Sequence, residues 1–139
     1  MSEAFVVDAS MAFAWVLPSQ ASPAADALLT RIESGATPVV PSLWFLEVAN
    51  GLLAAQRRKL LTATERTRAL EQLSVLRFTV DDEAGRAAFG RVSALADEQG
   101  LSVYDAVYLE TALRRGLPLG SRDRALVAAA TRRGVKILD

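Results

Sequence analysis

Three observations predict a three-layer α/β sandwich, with helices on both faces of a parallel sheet. Five short apolar runs recur along the chain, segments of helical period separate them, and the runs lack the apolar/polar alternation of half-exposed strands. The 139 residues, 51% hydrophobic and 23% charged, carry no internal repeat, low-complexity stretch or linker. One domain over residues 1–139 is therefore expected, large enough to bury a core without disulfides or structural metal.

The first run, Ala4 to Val7, is apolar and partly β-branched and ends at Asp8. Ala9 to Leu17 is apolar apart from Ser10, and Pro18 closes it. Ser22-Pro23 supplies an N-cap and a first-position proline for a helix bearing Ala25, Leu28, Leu29 and Ile32, which Gly35 ends. Val39-Val40, between Pro38 and Pro41, is a minimal second strand. Ser42 is placed to cap a helix through Phe45, Leu46, Ala49, Leu52 and Leu53, and Arg57, Arg58 and Lys59 complement the dipole in its last turn. Thr62 and Glu65 form a capping box for a helix with Leu70, Leu73 and Leu76 on its apolar side. Phe78 to Val80 is the third strand. Asp82-Glu83 acidify the start of a helix with Ala87, Phe89, Val92, Leu95 and Ala96, stopped by Gly100. Ser102 opens the next helix, which ends at Arg114-Arg115-Gly116. Leu117 to Gly120 is the fourth strand, Arg124 to Arg133 a helix, and Val135 to Leu138 the fifth strand.

Composition narrows the chemistry. The chain has neither histidine nor cysteine. Triads with an imidazole base, thiolate nucleophiles, zinc fingers, iron–sulfur clusters and disulfide frameworks are excluded, leaving carboxylates, hydroxyls, Lys/Arg or a metal held by oxygen. Sixteen basic residues balance sixteen acidic ones, which argues against gripping polyanions over the whole surface and permits a local basic patch. Glu3 and Asp8 interrupt the positions of a secretory signal, and no apolar window approaches the ~20 residues of a membrane span. The expected location is the cytoplasm.

In open parallel sheets, ligands bind beyond the carboxyl ends of the strands. Asp8 follows the first strand directly, and Asp123 follows the fourth through Gly120-Ser121-Arg122. Glu47 and Asp105 lie in the first turns of helices entered from short connections. Four carboxylates therefore have the means to converge on one rim. Each also has a purely structural alternative: Asp8 and Asp123 as helix caps worth ~1 kcal/mol, and Ser102 with Asp105 as a capping box. Glu47 is harder to explain structurally, because Leu43, Trp44, Phe45, Leu46, Val48 and Ala49 crowd it and a lone buried carboxylate is costly. Asn50 and Gly51 share its helix face. Clustered carboxylates need a cation, and hard oxygen ligands suit Mg²⁺ or Mn²⁺, which acidify a bound water without an imidazole.

Four segments taken together, VVDAS, LEVANGL, SVYDAVYLETA and GSRDRAL, resemble the PIN-domain ribonucleases, and closely the VapC toxins of bacterial type II toxin–antitoxin pairs. The likeness spans essentially the whole chain in the order strand-Asp, helix-Glu, helix-Asp, strand-loop-Asp. It implies a five-stranded parallel sheet of order 3-2-1-4-5 and a Mg²⁺- or Mn²⁺-dependent endoribonuclease neutralised by a VapB-type antitoxin. By motif position, Asp8 and Asp105 would be the principal metal ligands, Glu47 would assist and Asp123 would complete the set. Ser10 would sit beside the metal or phosphate, and Asn50 would orient the Glu47 region. Ser121 stands where the family often has threonine and keeps the hydroxyl. The family's chemistry is in-line attack by water, leaving a 5′-phosphate and a 3′-hydroxyl. Arg122, Arg124, Arg114 and Arg115 lie near the rim in sequence and are candidates to hold RNA phosphates, with helix-end charge matching as the alternative for the last two.

The uncharged segment Met11 to Leu17, with Phe13 and Trp15, is either wholly internal or partly an interface. In the VapC-like reading it borders an apolar groove for the antitoxin, while another surface makes a homodimer. A non-catalytic PIN-like module that binds RNA or protein is the competing reading. A phosphoacceptor receiver domain fits less well, since Asp8 stands alone after the first strand and Asp81-Asp82 follow Val80 without the rest of that set.

Overall fold

Strands β1 (Ala4–Val7), β2 (Thr37–Pro41), β3 (Thr79–Asp81) and β4 (Leu119–Gly120) pair in parallel in the order β3-β2-β1-β4 in the computed structural model, which describes residues 3–138. The central strand β1 carries Phe5, Val6 and Val7 fully buried, as its unbroken apolar run predicts for a strand covered on both faces. Its register with β2 aligns Val6 with Val39, and with β4 it aligns Val7 with Gly120. Gly120 packs closely there: a Cβ on it would stand 2.7 Å from the end of the Leu28 side chain, which would have to shift.

All strands but the first differ in extent from expectation: the second lengthens to Thr37–Pro41, and the fourth starts two residues later than Leu117, at Leu119. The third strand runs one residue later than Phe78 to Val80, because Phe78 turns into an aromatic group with Trp44 (centroids 4.7 Å apart) and Phe45 (5.9 Å), and pairing extends to Asp81 instead. The fifth strand shrinks to one parallel bridge between Leu119 and Ile137, so the sheet has four strands among the described residues rather than five. The bridge does lie on the outer side of β4, where the order 3-2-1-4-5 puts it. With β4 only two residues long and Leu138 the only buried residue of the run, there is no ladder for it to extend.

Helices α1 (Ala9–Val16), α2 (Pro23–Glu33), α3 (Leu43–Arg57) and α4 (Ala63–Ser74) join β1 to β2 to β3 and pack on one another. Helices α5 (Ala84–Ala87), α6 (Ser93–Gln99) and α7 (Val103–Arg115) return the chain to β4, and α8 (Arg124–Arg132) follows it. Right-handed crossovers place the first four on one face of the sheet and the rest on the other, completing the three layers. The predicted helix between Asp82 and Gly100 is interrupted by a π turn at Ala88–Val92. Ala87 and Val92 are both buried at a five-residue spacing, out of phase for an α-helix, and the wider turn brings them over one another.

Caps follow the sequence with one exception. Ser22 accepts from the Ala25 amide at 3.1 Å, and Thr62 and Glu65 form the reciprocal capping box. Ser42 makes no side-chain cap, since its backbone is already helical. Within α1, Met11, Ala12, Ala14 and Trp15 are buried and the Trp15 indole donates to the Ala25 carbonyl at 2.8 Å, so this apolar helix is mostly internal. Phe13 leans outward: it lies over Gly51, where a Cβ would meet the ring at 2.2 Å, and with Leu17, Ala54, Leu60 and Leu61 it lines a groove.

Candidate active site

Asp8 leaves the end of β1 into the first residue of α1 and is 4% exposed. Its carboxylate makes no geometric cap bond to α1, although the Met11 amide in the first turn favours its charged form. Instead Ser10 donates to one oxygen at 2.5 Å and Ser121 to the other at 2.6 Å. Both hydroxyls accept backbone amides in turn, Ser10 from Arg122 at 2.8 Å and Ser121 from Asp123 at 3.0 Å. The loop after β4 is thus tied to the end of β1 through one carboxylate, with both serine protons committed to it. Trp44, in the first turn of α3, donates its indole to the Asp8 carbonyl at 3.1 Å and fixes the main chain behind the site.

Glu47, in α3, and Asp105, in α7, come from the two helical layers and lie near enough for the Asp105 charge to act on Glu47. Neither Glu47 nor its helix face is deeply buried: Phe45 is 41% and Leu46 71% exposed, so the expected apolar crowding is confined to Trp44 and Val48. The reason is that α3 lies at the sheet rim, where its outer side meets solvent. Glu47 accepts a short hydrogen bond from the hydroxyl of Tyr108, which crosses from α7. Asn50 is exposed and makes no hydrogen bond among the described residues, so its expected orienting role has no contact behind it. Asp105 sits in the first turn of α7, its amide capped by the Ser102 hydroxyl at 3.1 Å, with its carboxylate left out of that cap. Asp123 does cap: one oxygen accepts from the Leu126 amide at 2.9 Å, and capping uses only that oxygen.

The electrostatics are those of crowded, uncompensated anions. Burial pushes the Asp8 carboxyl up to about 6, against the two serine hydrogen bonds, and the Asp123 charge adds to the rise. Glu47 is raised by burial and by Asp105, with the Tyr108 hydrogen bond opposing. Asp105 is raised by burial and by Asp123. The Tyr108 phenol is pushed far above its ordinary range by burial and by Glu47, so it remains a hydrogen-bond donor. None of the ion pairs among the described residues involves any of the four carboxylates.

Cations near the rim in sequence are placed differently. Arg114 binds both oxygens of Asp81 at 2.9 and 3.0 Å and Glu110 at 2.7 Å, and Arg115 binds Asp81 at 2.6 Å. Burial alone would raise Asp81, yet the two guanidiniums outweigh it and hold the carboxyl down to about 2. Arg114 and Arg115 thus anchor β3 to α7, and Asp81 is a buried counter-ion rather than a phosphoacceptor. Arg122 reaches the Gln20 carbonyl, and Arg124 is exposed and forms no ion pair among the described residues.

An all-oxygen set without a neighbouring cation fits a hard divalent ion by its donor chemistry. Among the described residues no three of these groups already form a metal cage. Asp8, Glu47 and Asp123 are each held locally, on serine, tyrosine and a helix amide respectively, and the Asp105 carboxylate accepts no hydrogen bond among the described residues. Sequence reasoning missed two residues, Trp44 and Tyr108. For Tyr108 the signal was present: it stands three residues after Asp105, on the same face of α7.

Residues 5–132 match the family described as PIN domain. No curated protein matches the chain by sequence. Among solved structures, PAE2754 from Pyrobaculum aerophilum is similar with 26% identity and a TM-score of 0.71, over 99% of this chain and 92% of that one. FitAcB from Neisseria gonorrhoeae is similar at 18% identity and TM-score 0.65, over 97% and 96%. VapBC2 from Rickettsia felis, bound to a DNA fragment from their promoter, is similar at 10% identity and TM-score 0.66, over 96% of each chain.

Proposed function

Since the chain belongs to the PIN-domain family, we propose that it is a divalent-metal-dependent endoribonuclease, a VapC-type toxin restrained by a VapB-like antitoxin. The observation that carries this reading is the acidic rim: Asp8 is buried and raised by the Asp123 charge, Asp105 is raised by the same charge and Glu47 by Asp105, and no ion pair among the described residues offsets any of them. Such an arrangement is costly in a protein that binds nothing there. The fold-level likeness to the VapBC2 and FitAcB structures supports the toxin–antitoxin setting.

Asp8 and Asp105 would hold Mg²⁺ or Mn²⁺, with Glu47 and the free oxygen of Asp123 completing the set. When bound, the ion supplies Lewis-acid polarisation of a phosphate and acidification of water. The chain's own residues do the remaining work. Ser10 and Ser121 lock the Asp8 side chain in one orientation, and Trp44 locks its backbone. Arg122 and Arg124, flanking Asp123 in sequence, would pair with RNA phosphates, Arg122 by exchanging the Gln20 carbonyl for a phosphate oxygen. The groove beside Phe13 and Leu60 is the surface assigned to the antitoxin, and a homodimer would cover apolar residues elsewhere, of which Phe89 is fully exposed.

Asp8→Asn and Asp105→Asn are expected to abolish RNA cleavage and growth arrest while leaving the fold intact. Retention of both activities in both variants would overturn the proposal. One observation favours the second reading, a module that binds RNA or protein without cutting: no three carboxylates are preassembled among the described residues. Titration with Mn²⁺ separates the two readings. Wild-type RNA affinity with no Mn²⁺ binding would select the binder.

A further inference from the structure

From the contact between Tyr108 and Glu47, we infer that Tyr108 is a positioning residue for the metal site, its hydroxyl holding Glu47 in reach of Asp8 and Asp105. This rests on the metal-dependent reading above. The two residues are 61 positions apart in sequence and belong to different helices, α3 and α7, which this hydrogen bond links. Tyr108 is 1% exposed and its orientation is set by the core, whereas Glu47 sits half-exposed beside Leu46. An unrestrained glutamate at such a place samples several rotamers, many of them into solvent.

Tyr108 is the one hydrogen-bond donor that Glu47 has among the described residues, and it bonds only the Oε1 atom. The other oxygen keeps its lone pairs for the cluster. On α7, Tyr108 follows Asp105 by three residues, so one helix face presents a carboxylate and the hydroxyl that fixes a second carboxylate. The tyrosine also does what an arginine at the same place would not: it orders Glu47 without neutralising it.

The test uses the metal-free chain and Mn²⁺ titration calorimetry, with melting of the apo proteins as the fold control. Tyr108→Phe keeps the ring and removes the hydroxyl. It should weaken Mn²⁺ binding roughly ten-fold, the scale of one hydrogen bond to a charged group. Glu47→Gln should weaken it at least as much. The double variant should be no weaker than Glu47→Gln alone, because Tyr108 acts only through Glu47. Unchanged Mn²⁺ affinity in Tyr108→Phe, or losses that add in the double variant, would overturn the inference.

A second measurement needs no change at Tyr108. The chain has two tyrosines, so in Tyr104→Phe labelled with ¹³C at the phenol carbon, the remaining resonance reports Tyr108 alone. It should shift as Mg²⁺ is added, and Glu47→Gln should suppress the shift. A resonance indifferent to saturating Mg²⁺ counts against the inference. If Asp8→Asn binds Mn²⁺ as tightly as wild type, the metal reading itself falls and the inference with it, an outcome distinct from failure at Tyr108 alone.

Discussion

Replacing Asp8 by asparagine should stabilise the metal-free protein at neutral pH while destroying its affinity for the ion. The carboxyl is raised from its ordinary 3.8 to about 6, with burial as the main cause. Between those values the native state holds the proton more tightly than the unfolded chain. Stability therefore falls as pH rises through that window, and above it the full cost of a buried carboxylate is present. At about 1.4 kcal/mol per pH unit the cost is about 3 kcal/mol at pH 7. Asparagine removes that cost and introduces a smaller one. Ser10 and Ser121 each donate to one Asp8 oxygen and each already accepts a backbone amide. An asparagine side chain accepts at only one atom, so one serine proton is left without a partner, at about 1 kcal/mol.

The net gain is about 2 kcal/mol at pH 7, or about 6 °C in melting temperature for a domain of this size. Near pH 4, where native Asp8 is already protonated, the gain should disappear and leave the variant slightly less stable than wild type, by at most about 1 kcal/mol. The assay is thermal denaturation of wild type and Asp8→Asn in chelator-treated buffer from pH 4 to 8, repeated with saturating Mg²⁺. The ion should raise the wild-type melting temperature and leave the variant unmoved. A variant that melts below wild type at pH 7, or an offset that does not change with pH, would refute the reasoning.

Three further outcomes are expected. Asp81→Asn should destabilise the fold by about 2 to 3 kcal/mol, since it strips two guanidiniums of a buried partner that lies near a surface where solvent softens the loss; denaturant melts measure this, and Mn²⁺ affinity should stay at the wild-type value. The Asp81 contribution should also fade as pH falls from about 4 towards about 2, because its native carboxyl is held low. Arg122→Ala with Arg124→Ala should weaken binding of single-stranded RNA and lower the salt slope by about 0.7 for each RNA phosphate no longer neutralised, read from fluorescence anisotropy at several salt concentrations.

The helical caps and β1 were legible because they depend on neighbours in sequence. Thr62 with Glu65 needs only a three-residue spacing, and Ala4 to Val7 needs only an unbroken apolar run. The third and fifth strands were misjudged at their ends because strand length depends on the partner. Phe78 was drawn into the Trp44 ring, and Val135 to Leu138 found a β4 only two residues long. Glu47 shows the same limit: six apolar neighbours in sequence signalled burial, yet Leu46 is exposed and Phe45 is only partly covered, by Trp44 and Phe78.

The sequence by itself determined the chemistry available to this protein. Without histidine or cysteine, carboxylates, hydroxyls, Lys/Arg or a metal held by oxygen were the means left, and the positions of Asp8, Glu47, Asp105 and Asp123 after strands and at helix starts made them candidates to converge on one rim. Tertiary structure alone decided which polar groups attend those carboxylates and which cations are spent elsewhere. The Ser121 bond to Asp8, the Tyr108 bond to Glu47 and the capture of Arg114 and Arg115 by Asp81 each join residues more than thirty positions apart. Hydrogen bonds and ion pairs act over a few ångströms, and only the packing of two helical layers on a twisted sheet settles which groups come that close.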